Sequence, residues 1–125
     1  EICLIVQAET VTAMENLQEI AAVEGVDAVF IGPSDLSASM GHIGNPDHPE
    51  VVAAIENGLQ IINDAGKAGG LLCINPAKAH NYVEKGAKFV GIGVDTLLLS
   101  NAAKQLAESF KSGSNKADSS QSSGY

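Results

Sequence analysis

The chain has 125 residues, 45% of them apolar, which fits one globular domain with a real core and excludes a disordered chain. A net charge of −8 and a pI near 4.6 leave no basic patch for nucleic acid or an anionic membrane. All seven basic residues are lysines, so no arginine fork for a carboxylate or phosphate comes from this chain.

In chain order, the first apolar run is ICLIVQA (Ile2–Ala8). A helical stripe of Ala13, Leu17, Ile20 and Ala21 follows, with Thr12-x-x-Glu15 as its capping box and Gly25 as its stop. The run AVFIG (Ala28–Gly32) leads into Pro33-Ser34-Asp35 and a short helical turn, Leu36 to Met40. Asp47-x-x-Glu50, with Pro49, reads as the start of a longer helix striped by Val51, Val52, Ile55, Leu59 and Ile62 and stopped by Gly66. GLLCIN (Gly70–Asn75), a short stripe at Ala79 and Val83, Gly86 and the run FVGIGV (Phe89–Val94) complete the pattern. A last helix is expected over about residues 98–111. The polar, low-complexity stretch SGSNKADSSQSSGY (112–125) reads as a flexible tail.

The four apolar runs do not alternate, which suits parallel strands covered on both faces. GVDAVFIG and GAKFVGIG are nearly one sentence written twice, the mark of a repeating βα unit. Four such units cannot close a (β/α)8 barrel, which needs roughly 250 residues. The expected fold is therefore α/β, the C-terminal half of a TIM barrel over residues 1–111, with a missing N-terminal half or a partner covering the exposed sheet edges. An open doubly wound sheet is the alternative. Cys3 and Cys73 sit inside apolar runs and read as reduced core residues of a cytoplasmic protein. No apolar run approaches the roughly 20 residues of a membrane span, and no basic segment precedes the first run as in a signal peptide.

In either parallel architecture the site lies at the carboxyl ends of the strands. Glu9, Asp35, Asn75 and Asp95 follow the four strands there. Neighbouring strands lie about 4.8 Å apart, so Glu9 and Asp35 can share one cation. An oxygen-only pair suits Mg²⁺ or Mn²⁺, and sometimes Co²⁺, rather than a structural zinc. The plainer reading is that each carboxylate caps the following helix. The amides of Ser34 and Asp35 open a helical turn, a seat for an anion that Gly32 lets approach closely, or else simply a βα turn. His42, His48 and His80 read as loop or surface residues.

The stretches VQAET, EGVDAVFIGPSDLSASMGHIGN, HPEV and FVGIGVDTLLL resemble the metal-dependent class II pyruvate aldolases, the 4-hydroxy-2-oxoheptanedioate aldolase family, as far as about Lys111. The resemblance implies that Glu9 and Asp35 bind the divalent metal, that the Ser34 and Asp35 amides beside Gly32 hold the pyruvate carboxylate, and that Leu72 lines the substrate pocket. It implies aldol cleavage of a 4-hydroxy-2-oxo acid to pyruvate and an aldehyde, in a hexameric homo-oligomer. The family's arginine and its proton-transferring histidine belong to the N-terminal half, so no catalytic residue is assigned here and the isolated chain is expected to be inactive. Three other readings compete. A Schiff-base aldolase would have to use Lys78. A phosphate-binding barrel protein would use Gly91 and Gly93. A citrate lyase β or malyl-CoA lyase type of enzyme would also place metal on a Glu and an Asp. An inactive fragment that only binds metal and pyruvate is the non-enzyme reading.

Overall fold

The computed structural model describes residues 2 to 117, with side chains as far as residue 111. Two compact units divide the chain, Glu1–Ile92 and Gly93–Tyr125. The first holds β1 (Ile5–Ala8), α1 (Val11–Glu15), α2 (Leu17–Ala22), β2 (Ala28–Ile31), α3 (Pro33–Ser39), α4 (Pro49–Asp64), β3 (Ala68–Leu72), α5 (Pro76–Glu84) and β4 (Phe89–Gly91). The second holds α6 (Asp95–Ala117). The last helix thus starts earlier than expected, and its backbone runs past Lys111. The remainder of the expected tail, 118–125, lies outside the described residues.

All four strands are parallel and neighbours in chain order, β1-β2-β3-β4, as repeated βα units require. The helices stop where glycine permits a left-handed turn: Gly25, Gly66 and Gly86 have φ of 87°, 73° and 99°. Their starts differ from the expected boxes. Thr10, not Thr12, caps α1, its Oγ1 accepting from Ala13 N at 3.1 Å. His48, not Asp47, caps α4; Asp47 instead pairs with Lys78 Nζ at 2.6 Å. The single expected first helix breaks at Asn16, whose Nδ2 donates to Thr12 O at 2.8 Å and so competes with the helical ladder.

One face of the sheet carries the core. Ala8, Val29, Ile31 and Leu71 pack beneath Leu17 and Ala21 of α2, Leu36 of α3 and Tyr82 of α5. Of the expected α4 stripe, Val51, Ile55, Leu59 and Ile62 are fully buried there, whereas Val52 is half-buried. Close approach of helix to sheet rests on two glycines. A β-carbon at Gly69 would lie 2.9 Å from Leu59 Cδ2, and one at Gly58 would lie 2.6 Å from Met14 Cε and 3.0 Å from Ile31 Cδ1.

The opposite face corrects the expectation of strands covered on both sides. Ile5, Leu72 and Phe89 are 43%, 38% and 54% exposed on this face. Phe30 and Phe89 stack obliquely on this face, centroids 5.7 Å apart. The cysteines are free, as expected, but neither is in the core: Cys3 precedes β1 and is exposed, and Cys73 is half-buried. The run from Ile2 forms a strand only from Ile5, where pairing with β2 begins.

Tyr82 is 6% exposed. Burial first, then the negative charges of Cys73, Glu56 and Asp47, push its phenol up to about 12 from an ordinary 10.0. The folded state thus holds this proton more tightly than the unfolded chain. Its contribution is complete below the unfolded value and is lost as pH rises towards 12. Stability should therefore fall between about pH 10 and 12, and Tyr82→Phe should flatten that fall in urea midpoints measured across the range. An unchanged alkaline slope in the variant would count against this account.

Candidate metal centre and carboxylate seat

The site grows from the register of β1 and β2. Ala8 pairs with Ile31, and Gly32 N donates to Ala8 O at 3.1 Å, so Glu9 lies beside Gly32 at the carboxyl edge. A β-carbon at Gly32 would fall 2.7 Å from Glu9 Oε2 and 2.9 Å from Glu9 Cβ. The Glu9 carboxylate therefore lies against bare Gly32 backbone, in space that any side chain at 32 would take. Gln7, two residues earlier and on the same face, donates from Nε2 to Glu9 Oε2 at 2.7 Å. Sequence reasoning did not single out Gln7; its period-2 spacing from Glu9 was the available signal.

Asp35 is the third residue of α3, exposed, in the first turn after its N-cap Gly32. Both carboxylates thus rise from the same two turns: Glu9 flanks Gly32 and Asp35 follows it. Among the described residues, the first helical bond of α3 runs from Leu36 N to Gly32 O at 2.9 Å. The Ser34 and Asp35 amides precede it and have no helical acceptor. Pro33 fixes the turn and carries no N–H. Two further bonds brace the turns. Ser37 Oγ, buried, donates to Ser34 O at 2.7 Å. Val11 N donates to Ser39 Oγ at 3.0 Å, tying the turn that carries Glu9 to the helix that carries Asp35.

Leu72 ends β3 on the open face, one step past the Ile31–Leu71 pair, and pairs with Gly91 of β4. Gly32, Leu72 and Gly91 therefore form one row across the sheet, with Glu9 at its end. A β-carbon at Gly91 would lie 3.1 Å from Leu72 Cδ1, so this glycine has a packing reason for its place. Lys78 lies on the first turn of α5, ion-paired and 45% exposed, without the desolvation that a Schiff-base amine needs. Asn75 is consumed as the N-cap of α5, accepting from Ala77 N and Lys78 N. Asp95 begins α6 in the second unit. His80 is exposed on α5. His42 and His48, read as separate loop residues, lie ring on ring.

Residues 1–102 match the HpcH/HpaI aldolase/citrate lyase family. A hydroxypyruvate/pyruvate aldolase of Cupriavidus necator is 58% identical over 111 residues, 89% of this chain and 41% of that protein. A 4-hydroxy-2-oxo-heptane-1,7-dioate aldolase of Shigella sonnei is 57% identical over 110 residues, 88% of this chain and 42% of that protein. The chain therefore spans about two fifths of the length of these relatives. Among solved structures, an HpcH/HpaI aldolase/citrate lyase family protein from Burkholderia cenocepacia superposes with a TM-score of 0.82 at 34% identity, covering 88% of this chain and 43% of that one. The four parallel βα units are thus part of a TIM barrel, not of an open doubly wound sheet.

Proposed function

This chain belongs to the HpcH/HpaI aldolase/citrate lyase family, and from that membership we propose that it supplies the metal and pyruvate-carboxylate site of a 4-hydroxy-2-oxo acid aldolase. The observation that carries the reading is the Glu9 carboxylate lying against Gly32, with Asp35 one turn beyond. These residues fit a divalent cation. The donors are oxygen only, which suits Mg²⁺ or Mn²⁺ and sometimes Co²⁺, and the absence of a side chain at Gly32 leaves its space to the Glu9 carboxylate. Glu9 and Asp35 would hold the ion, which when bound supplies the electrophilic pull on the 2-oxo group.

The chain's own residues do the remaining work here. Gln7 fixes one oxygen of Glu9 and so sets the orientation of the ligand. The Ser34 and Asp35 amides donate to the carboxylate of pyruvate, Gly32 lets it come close, and Leu72 walls the pocket on the β3 side. The chain has no arginine, and the proton-transferring groups come from an N-terminal half-barrel, so residues 1–111 by themselves turn over no substrate. The exposed Ile5, Leu72 and Phe89 are the face that this half covers. Two further largely apolar surfaces support a homo-oligomer. One is a groove of about 340 Å³ lined by Ala79, Val83, Val90 and Ile92; the other is Leu97, Leu98, Leu99, Leu106 and Phe110 of α6. Free cysteines agree with a cytoplasmic setting, and among the described residues no helix is long and apolar enough to cross a membrane.

The test is pyruvate binding to the chain with Mn²⁺, followed by water-proton relaxation. Pyruvate should lower the Mn²⁺ enhancement as it replaces water, and EDTA should abolish its binding. Equal pyruvate affinity with and without EDTA would remove the metal from the reading.

A further inference from the structure

A second cluster of ligand atoms lies in the loop between α3 and α4. His42 and His48 stack with centroids 3.5 Å apart and planes 12° from parallel. His42 Nε2 lies 2.9 Å from Glu50 Oε2. One ligand atom from each of His42, His48 and Glu50 falls within 4.8 Å of the other two. The backbone beneath them is braced. His42 N donates to Ser37 O at 2.7 Å, Asn45 N to His42 O at 2.9 Å, His48 N to Asn45 O at 3.1 Å and Val52 N to His48 O at 3.0 Å. Pro46 and Pro49 restrict the chain on either side of His48.

We propose that His42, His48 and Glu50 form a second cation site, for a borderline ion of the Zn²⁺ type, with water completing four-coordination. The site goes beyond the aldolase reading and does not depend on it. Ligands at about 2.0–2.2 Å in tetrahedral geometry stand about 3.3 Å apart, so the His42–Glu50 pair is already near that spacing. Two imidazoles and one carboxylate favour Zn²⁺ over Mg²⁺, the reverse of the oxygen-only Glu9 and Asp35. A glutamate carboxyl is ionised at neutral pH, so Glu50 supplies the one anionic ligand of the set. Parallel rings aim their lone pairs side by side rather than at one point. Binding therefore turns one imidazole about its Cβ–Cγ bond, for which the partly exposed His42 and the exposed Glu50 leave room.

Calorimetric titration of ZnCl₂ into the 125-residue chain carrying Glu9→Gln and Asp35→Asn tests this apart from the first site. One equivalent should bind and resist millimolar Mg²⁺. His42→Gln or His48→Asn should each raise Kd by about tenfold or more. Asparagine keeps a capping acceptor for α4, and circular dichroism verifies the fold. His80→Gln should leave Kd unchanged, and Zn²⁺ should move the imidazole ¹⁵N signals of His42 and His48. No Zn²⁺ uptake, uptake indifferent to His42→Gln and His48→Asn, or equal damage from His80→Gln would overturn the proposal.

Discussion

Glu9→Gln is expected to weaken Mn²⁺ binding at the Glu9–Asp35 site by about 100-fold or more. Losing an outer-shell partner alone costs about 10–100-fold, and here a direct ligand loses its charge. Asp35→Asn should act in the same direction, and the double variant should leave no Mn²⁺ bound there at submillimolar concentrations, read by the free-ion signal in electron paramagnetic resonance. Gly32→Ala approaches the same loss by geometry. Its methyl would come within 2.7 Å of Glu9 Oε2, so the carboxylate must swing away from Gln7 and from its place. Pyruvate affinity should fall with the ion in all four variants. If Glu9→Gln and Asp35→Asn bind Mn²⁺ as the parent does, the cation is held elsewhere and the proposed function fails with it.

Leu59→Ala is expected to cost about 2–5 kcal/mol, because a fully buried leucine leaves a cavity in the helix–sheet seam. That is a large part of the stability of a chain this size. Gly69→Ala alone should cost about 1–3 kcal/mol, since its methyl would meet Leu59 Cδ2 at 2.9 Å. In the double variant the new methyl enters the space that Leu59 vacated. Its cost should undercut the sum of the single costs by about 0.5–3 kcal/mol. Urea unfolding monitored by circular dichroism measures all three. Strict additivity would show that α4 and β3 do not share this contact.

Much of the fold is legible in the residues because periodicity reports burial. The α4 stripe, the glycine stops and the order of the strands all follow from spacing. The errors fall where a side chain competes with the backbone. Asn16 breaks a helix by bonding Thr12 O, and His48 caps α4 ahead of Asp47, which is held by Lys78. Glu9 and Asp35 could be placed at one edge because parallel strands put their ends together. The contacts that orient them could not. Gln7 to Glu9, Val11 to Ser39 and the stacked His42 and His48 depend on rotamers and loop closure, which no period encodes. The open sheet face was missed because continuous apolar runs report burial in a complete barrel, whereas four strands show it half covered.

Gly58 has a consequence for ion choice. Ile31, whose side chain approaches α4 there, immediately precedes Gly32. Behind that strand end the Ile31 side chain packs with Met14 and Leu17 against the bare backbone of Gly58, in a close-packed layer. An oversized cation therefore gains no room by pressing the strand end backwards. If Glu9 and Asp35 hold a cation as proposed, a larger ion is expected to push the exposed Asp35 outwards rather than the close-packed strand end back.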